Sequence, residues 1–367
     1  MRKLSRCEVE IREKLNPFNP SRCSESPIKS GSSTRKAKVR HEGTVLSTRF
    51  LRGLDYLAVL RPTLLLPVWT MVLLGYYHSL LHSGISLKYL PLLSHISIIS
   101  NPGAEIWKTL FLYSMLMGSV YIVNQITDAK TDDINNKLYL VAQGHVKLKL
   151  IKAESIILLL GAIVLTIHWF TTNYFYFLLV LLSIILGMVH SIPPVRFKGK
   201  PILDLLSNAL GFGFIAFAVG WTTNSEFSIQ SFTISLPYIF CVGAGFVNTT
   251  LLDLKGDENI GDKTIGVLLG VKKSCILSTF LLAISVAFSL ILKDYIALSV
   301  SLLCLPLFIY MALTHKFSAI TMATKLSILL LSLFIAILIP YYFLLLIGTL
   351  LVVKWYYLKR FGIKYPF

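Results

Sequence analysis

The sequence predicts an all-α, polytopic membrane protein. Of 367 residues, 55% are hydrophobic and only 14% charged, and mean hydropathy is +0.70, a balance that excludes an ordinary soluble domain. Apolar runs near the roughly 20 residues that cross a bilayer core recur from Tyr56 almost to the C-terminus. Beyond the first 49 residues, the charges gather in short loops between those runs.

The chain opens with a tail, residues 1–49, that carries 12 Lys and Arg against 5 Glu, a net +7 of the formal +17. It is rich in Ser and Pro, has no apolar run of signal-peptide length and shows no sustained period. It reads as a disordered cytosolic segment touching anionic headgroups, each basic residue there being worth roughly 1 kcal/mol. A cleaved transit peptide is the alternative, and the five glutamates count against it.

A membrane domain follows at 50–358, then a short C-terminal tail at 359–367. The expected spans are residues 57–80, 106–124, 153–172, 174–192, 203–221, 235–252, 273–292, 295–313 and 326–353, which makes nine. Pro340 interrupts the last run, which reads as one kinked helix or two short ones. Alternate loops differ sharply in Lys and Arg. One set holds Lys130, Lys147, Arg196, Lys198, Lys255, Lys263 and Lys316 among others, and the other only Lys88, Lys108 and Lys293. The basic tail and basic loops therefore share the cytosolic side. In a nine-span chain, Lys354, Lys359, Arg360 and Lys364 fall on the wrong side. The five cysteines are odd in number and lack close pairs, so they indicate neither a disulfide framework nor a metal site.

Acidic residues next to membrane spans are costly, so their placement carries information. Thirteen follow the tail, and seven of them form two clusters: Asp128, Asp132 and Asp133, then Asp253, Asp257, Glu258 and Asp262. Both clusters sit at cytosolic ends of spans. Steps of four put Asn124, Asp128 and Asp132 on one helical face, and Asp253 and Asp257 repeat the step before a loop marked by Gly256 and Gly261. Crowded carboxylates repel unless a cation joins them, and hard oxygen donors suit Mg²⁺. Solvated loop acids paired with Lys130, Lys255 and Lys263 are the bland alternative.

Between the clusters, Pro193 and Pro194 stop a helix and display Arg196, Lys198 and Lys200 at the surface, where they serve either the cytosolic charge bias alone or the binding of an anion held near the metals. Arg61, ahead of Pro62 inside the first apolar run, calls for an anionic partner. Gly211-Phe-Gly213 lies inside an apolar run with no preceding strand and reads as close helix packing. His168 and His190 have no second ligand at metal spacing.

On these residues the chain resembles the UbiA superfamily of intramembrane prenyltransferases over roughly residues 55–350. Asn124, Asp128 and Asp132 match its first Asp-rich motif, with Gln125 in place of the second-position Asp. Asp253 and Asp257, followed by Gly261-Asp262-Lys263-Thr264, match the second. Arg61-Pro62 and the stretch from Ser191 to Lys198 also look like the family. Two positions depart from it: His190, where many members have Tyr, and Tyr139-Leu140, where an Arg-Pro pair is common.

The resemblance implies helices around a central cavity with two Asp-rich motifs facing across its cytosolic mouth. It implies Mg²⁺-dependent transfer of a polyprenyl group from a diphosphate donor to an aromatic or alcohol acceptor. Asp128, Asp132, Asp253 and Asp257 would be catalytic and, with Asn124, metal-holding. Arg61, Asn124, Lys137, Arg196, Lys198 and Asp262 would bind substrate. Tyr121, Phe212, Phe214, Phe217 and Phe246 would wall off water from an allylic cation, and Asp257 or Asp262 would take the acceptor's proton. The expected partners are the donor, an apolar acceptor and the bilayer, with no nucleic acid. Two rival readings are a cation-coupled transporter and a catalytically silent scaffold of the same fold.

Overall fold

The computed structural model describes residues 45–85, 88–90, 93–135, 139–363 and 365, with the side chains of 45–48, 88–90, 93–96 and 139 left aside. Lys137 and most of the N-terminal tail lie outside the described residues.

Helix α1 (Val45–Ala58) precedes the first span, α2 (Pro62–His82). The expected run 57–80 is thus broken. Arg61 takes a left-handed conformation (φ 54°), because Pro62 disfavours a helical residue before it while itself suiting the first helical turn. A short hairpin, β1 (Lys88–Leu90) and β2 (Leu93–Ile98), is added to the all-α fold that the sequence predicts. Ile99 N–H ties it to Leu338 O at 2.8 Å.

Next come α3 (Ala104–Thr127), the short α4 (Ala129–Ile134) and α5 (Tyr139–Ala142), then α6 (Leu148–Trp169) and α7 (Tyr174–Ser191). Helix α8 (Pro201–Leu210) runs through a π-helical turn, Gly211–Ala216, into α9 (Phe217–Trp221). Helix α10 (Ile229–Leu252), the short α11 (Leu254–Ile260), α12 (Ile265–Leu292), α13 (Tyr295–Thr314), α14 (Phe317–Leu338) and α15 (Pro340–Phe361) complete the chain.

Ten helical stretches among the described residues are long and apolar enough to cross a membrane, one more than expected. The last apolar run is two full helices. Pro340, which cannot continue α14, starts α15, and each helix recruits flanking polar residues that hydropathy alone discounts. Even parity returns the C-terminal cations to the face that carries α1 and the basic loops. Arg360 on α15 bonds Asp55 on α1 there, which removes the charge anomaly of a nine-span chain. Side chains such as Ile157 and Leu344 are more than two-thirds exposed along outward faces, as lipid contact requires.

Small residues and hydroxyls bring the helices together. A Cβ on Gly75 would lie 1.8 Å from Phe217 O, and one on Gly220 1.8 Å from Val72 O, so α2 and α9 cross nearly backbone to backbone. Gly213 packs likewise on Ile239, where a Cβ would meet Cα at 2.6 Å. The glycine pair in that run therefore serves packing, as expected. The half of the bundle away from the basic face holds a layer of packed rings. Tyr77, Phe217, Trp221 and Tyr238 are fully buried there, with Phe217 stacked between Tyr238 at 5.7 Å and Trp221 at 6.3 Å.

Candidate active site at the basic face

Above that aromatic layer lies a cavity of about 390 Å³. Arg61, Asn124, His190 and Ser191 line it near the basic face, and Met71, Tyr113, Ser183, Cys241 and Ser332 line its deep end. Ten or eleven residues of helix separate Arg61 from Met71 and Tyr113 from Asn124, so the cavity is about 15 Å deep. Tyr113 Oη and Ser183 Oγ meet at 2.9 Å on its floor. The cavity ends halfway through the bundle, and its lining is mostly aliphatic and aromatic. Of the predicted aromatic wall, Tyr121, Phe212 and Phe246 line it. Phe214 packs instead on Phe227 and Phe232, and Phe217 belongs to the layer below.

At the mouth the two carboxylate clusters come together, each at the end of a span that stops and restarts. Helix α3 ends at Asp128, where the Asp128 and Asp132 N–H groups still reach back four residues to Asn124 O and Asp128 O at 2.9 Å. Asp257 N–H reaches Asp253 O in the same way at 3.1 Å. The four-residue spacing read from the sequence is therefore real, although each helix changes direction inside the motif.

Asn135 joins the two ends. Its Oδ1 accepts from Gly256 N–H at 3.0 Å and its Nδ2 donates to Asp253 O at 3.4 Å. A Cβ on Gly256 would stand 2.3 Å from that amide, so only glycine lets the ends approach. Nothing in the sequence pattern marked Asn135 out from the polar loop around it.

One connected chain of polar contacts runs across the mouth. Arg61 Nη1 donates to Asn124 Oδ1 at 3.4 Å, and Asn124 Nδ2 to Asp128 Oδ2 at 2.8 Å. Lys198 Nζ also donates to Asp128 Oδ2, and Arg196 Nη2 lies 3.5 Å from Asp128 Oδ1. Arg196 grips Asp262 through Nη1 to Oδ1 and through Nη2 to Oδ2 at 2.9 Å. The basic loop is clamped from both sides, since Lys198 N–H bonds His190 O at 3.0 Å and Lys263 N–H bonds Gly199 O at 3.2 Å. Arg196 and Lys198 thus reach the carboxylates, while Asp262 is wholly engaged in holding Arg196. Arg61 finds Asn124, and sits at the mouth rather than inside a span.

Burial dominates the electrostatics. It pushes the Asp132 carboxyl up to about 7, against the pull of Arg61 and with a further push from Asp128. It raises Asp257 to about 7 against Lys198, with Asp253 adding to the rise. Burial works to lower Lys198, and the Asp128 carboxylate outweighs it and holds the ammonium above its usual range.

Asp257 Oδ2 accepts from Thr264 Oγ1 at 3.1 Å, while its Oδ1 is buried without a hydrogen-bond partner. Such an orphan costs about 1–3 kcal/mol unless a ligand meets it. Among the described residues no three His, Cys, Asp or Glu side chains converge to hold a metal by themselves. Mg²⁺ takes one or two carboxylates and completes its shell with water and substrate phosphate. The oxygen donors and the orphaned oxygen fit such an ion.

Two of the departures in sequence, Gln125 and Leu140, fall outside this network, while His190 lines the cavity at its mouth. Gln125 Nε2 donates to Val59 O at 2.6 Å and Tyr121 O at 3.1 Å, pinning α3 to the break before α2. Leu140 is buried in a satellite core with Val59, Ile122, Val146 and Ile151. A buried carboxylate unsuspected from the sequence, Asp204 on the first turn of α8, stands behind His190.

Residues 92–319 match the model of the UbiA prenyltransferase family. The chain is 30% identical over 215 residues to the Probable homogentisate phytyltransferase 2, chloroplastic, of Oryza sativa subsp. japonica, covering 52% of this chain and 55% of the other. It is 27% identical over 188 residues to the digeranylgeranylglyceryl phosphate synthase of Sulfurisphaera tokodaii, covering 50% and 64%. The chain spans between about half and two-thirds of the length of these relatives. Its fold resembles a UbiA homolog from Archaeoglobus fulgidus bound to GPP and Mg²⁺, with TM-score 0.60 at 20% identity over 80% of this chain and 99% of that one. It also resembles the apo UbiA homolog from Aeropyrum pernix K1, with TM-score 0.55 at 16% identity over 76% and 97%.

Proposed function

The chain belongs to the UbiA prenyltransferase family, and from that premise we propose that it moves a polyprenyl group from its diphosphate to an aromatic or alcohol acceptor, with Mg²⁺, on the cytosolic side of a membrane. The observation that carries this reading is the meeting of two carboxylate-bearing helix ends and an Arg/Lys loop over a blind apolar cavity. A diphosphate with a long hydrocarbon tail has that division of polarity.

Asp128 and Asp132 with Asn124 on one helix end, and Asp253 and Asp257 on the other, would hold Mg²⁺ ions by one or two carboxylates each, and the metal supplies Lewis-acid stabilisation of charge on the departing diphosphate. Arg61, Arg196 and Lys198 would bind the phosphate oxygens by charge-assisted hydrogen bonds. Lys198 neutralises Asp128 in the structure, so it is the cation closest to hand when the diphosphate arrives. The tail would lie in the cavity, whose apolar lining keeps water from quenching an allylic cation to the alcohol. Positive residues on the carboxylate face support the cytosolic assignment.

The transporter reading needs ion-binding groups near the bilayer midplane and a path to both faces. Here the carboxylates sit at one end and the cavity has its floor at Tyr113 and Ser183. The scaffold reading leaned on Gln125 and Tyr139-Leu140, and both Gln125 and Leu140 serve packing away from the mouth.

The test is release of diphosphate from C10 to C45 prenyl diphosphates by purified protein with and without Mg²⁺, offered phenolic and glyceryl acceptors. Mg²⁺-dependent release that yields a prenylated acceptor, and is absent in the Asp128→Ala, Asp257→Ala variant, is the expected result. Absence of donor binding by every chain length would refute the reading.

A further inference from the structure

Prenylation of a hydroxyl or a ring carbon must shed a proton, and the two carboxylates singled out from the sequence to receive it are poorly placed. Both Asp262 oxygens are held by Arg196, and Asp257 lies outside the cavity lining. Among the described residues that line the cavity there is no carboxylate and one imidazole, His190.

The hydrogen bonds fix how that ring faces. Ser207 Oγ–H is committed to the Asp204 carbonyl oxygen at 3.0 Å. The 3.1 Å contact between Ser207 Oγ and His190 Nδ1 therefore has Nδ1–H as its donor. Neutral His190 then carries its proton on Nδ1 and a bare lone pair on Nε2, which has no partner among the described residues. Behind the ring, Asp204 Oδ1 lies 3.8 Å from Nδ1. Asp204 is 2% exposed and is steadied by Asn208 Nδ2 at 3.4 Å. An imidazole with one nitrogen tied back toward a buried carboxylate and the other facing a reaction space has the arrangement of a general base.

We propose that His190 Nε2 accepts the acceptor's proton, with Ser207 and Asp204 as positioning residues. This deepens the prenyl-transfer reading and rests on it. The allylic carbon–oxygen bond of the donor breaks and its electron pair leaves on the diphosphate. An electron pair of the acceptor forms the new bond to the prenyl carbon, and the acceptor's proton passes to Nε2. The resulting imidazolium faces Asp204, and the other charges around it are Asp128, Lys198 and Arg196 at the mouth.

The experiment uses the full chain with Mg²⁺, geranylgeranyl diphosphate and homogentisate as the phenolic probe, comparing wild type with His190→Gln, His190→Gly, Asp204→Asn and Ser207→Ala. His190→Gln lowers kcat for prenyl transfer by about 10²-fold or more and acts on kcat rather than on the donor KM. Added imidazole restores turnover to His190→Gly. Asp204→Asn lowers kcat by roughly tenfold and moves the acid limb of the rate profile to lower pH, because the imidazolium loses its facing carboxylate. A measurement independent of any acceptor is the ¹⁵N spectrum of histidine-labelled protein, where the signals lost in His190→Gln belong to the Nδ1–H tautomer. Full turnover of His190→Gln with an unchanged acid limb, or an Nε2–H tautomer, overturns the proposal while leaving prenyl transfer standing. A wild type that neither binds nor cleaves the donor removes both.

Discussion

Arg360 holds both oxygens of Asp55, Nε to Oδ1 and Nη2 to Oδ2, at 3.0 Å each, and Tyr356 Oη donates to Asp55 Oδ1 at 2.6 Å. The last helix is thereby latched to the helix that precedes the first span, and Asp55 is fully buried under the latch. Removing one partner strands a buried charge, so Arg360→Ala is expected to cost roughly 3 kcal/mol. Arg360→Ala combined with Asp55→Asn should cost less than Arg360→Ala alone. Thermal unfolding in detergent would show it.

Loss of a carboxylate at the mouth should lower turnover, and the two positions differ in what else they cost. Asp128→Ala and Asp257→Ala are each expected to lower Mg²⁺-dependent diphosphate release by about 10²–10³-fold; Asp257→Ala should leave the unfolding temperature little changed, whereas Asp128→Ala should lower it because Lys198 loses its buried partner. Lys198→Met should raise the donor KM and weaken donor binding by about tenfold or more. Single-turnover release beside equilibrium donor binding separates the two effects.

Asp132 and Asp257 stand near 7 in the metal-free protein against an ordinary value of 3.8. Between those values the folded state binds more protons than the unfolded chain, so stability falls as pH rises from about 4 through 7. A divalent ion must displace those protons. Mg²⁺ affinity should therefore increase from pH 6 to pH 8, and binding near pH 7 should release protons. Calorimetry in buffers of different ionisation enthalpy counts them, and a heat independent of buffer would contradict the raised carboxyls.

Gly256→Ala drives a methyl group into the Asn135 amide, which joins the two motifs. Activity should fall by about tenfold or more through misplacement of the carboxylates, and Asn135→Gly in the same chain should restore part of it by opening the space. A variant pair that shows no rescue would place the damage elsewhere.

Much of the molecule was legible because apolar runs and isolated carboxylates are costly to place anywhere else. The spans and the shared basic face follow from that cost, and the facing of the two Asp-rich ends was implied by the family resemblance. What escaped depends on local backbone or on a partner distant in sequence. The left-handed Arg61 breaks a run that hydropathy sees as continuous. Ile339 and Pro340 divide another, because a proline can start a second helix as readily as kink the first. Asn135, Ser207 and Asp204 carry no pattern of their own, and acquire meaning only beside Gly256 and His190.

The cavity whose floor is Tyr113 and Ser183 has an electrical consequence. Every charged group of the mouth lies on the basic face, on one side of that floor, so no charge of the reaction traverses the bilayer field during a cycle. Turnover in sealed vesicles should then be the same at any membrane potential, whereas moving one elementary charge across would respond by about 2.3 kcal/mol per 100 mV.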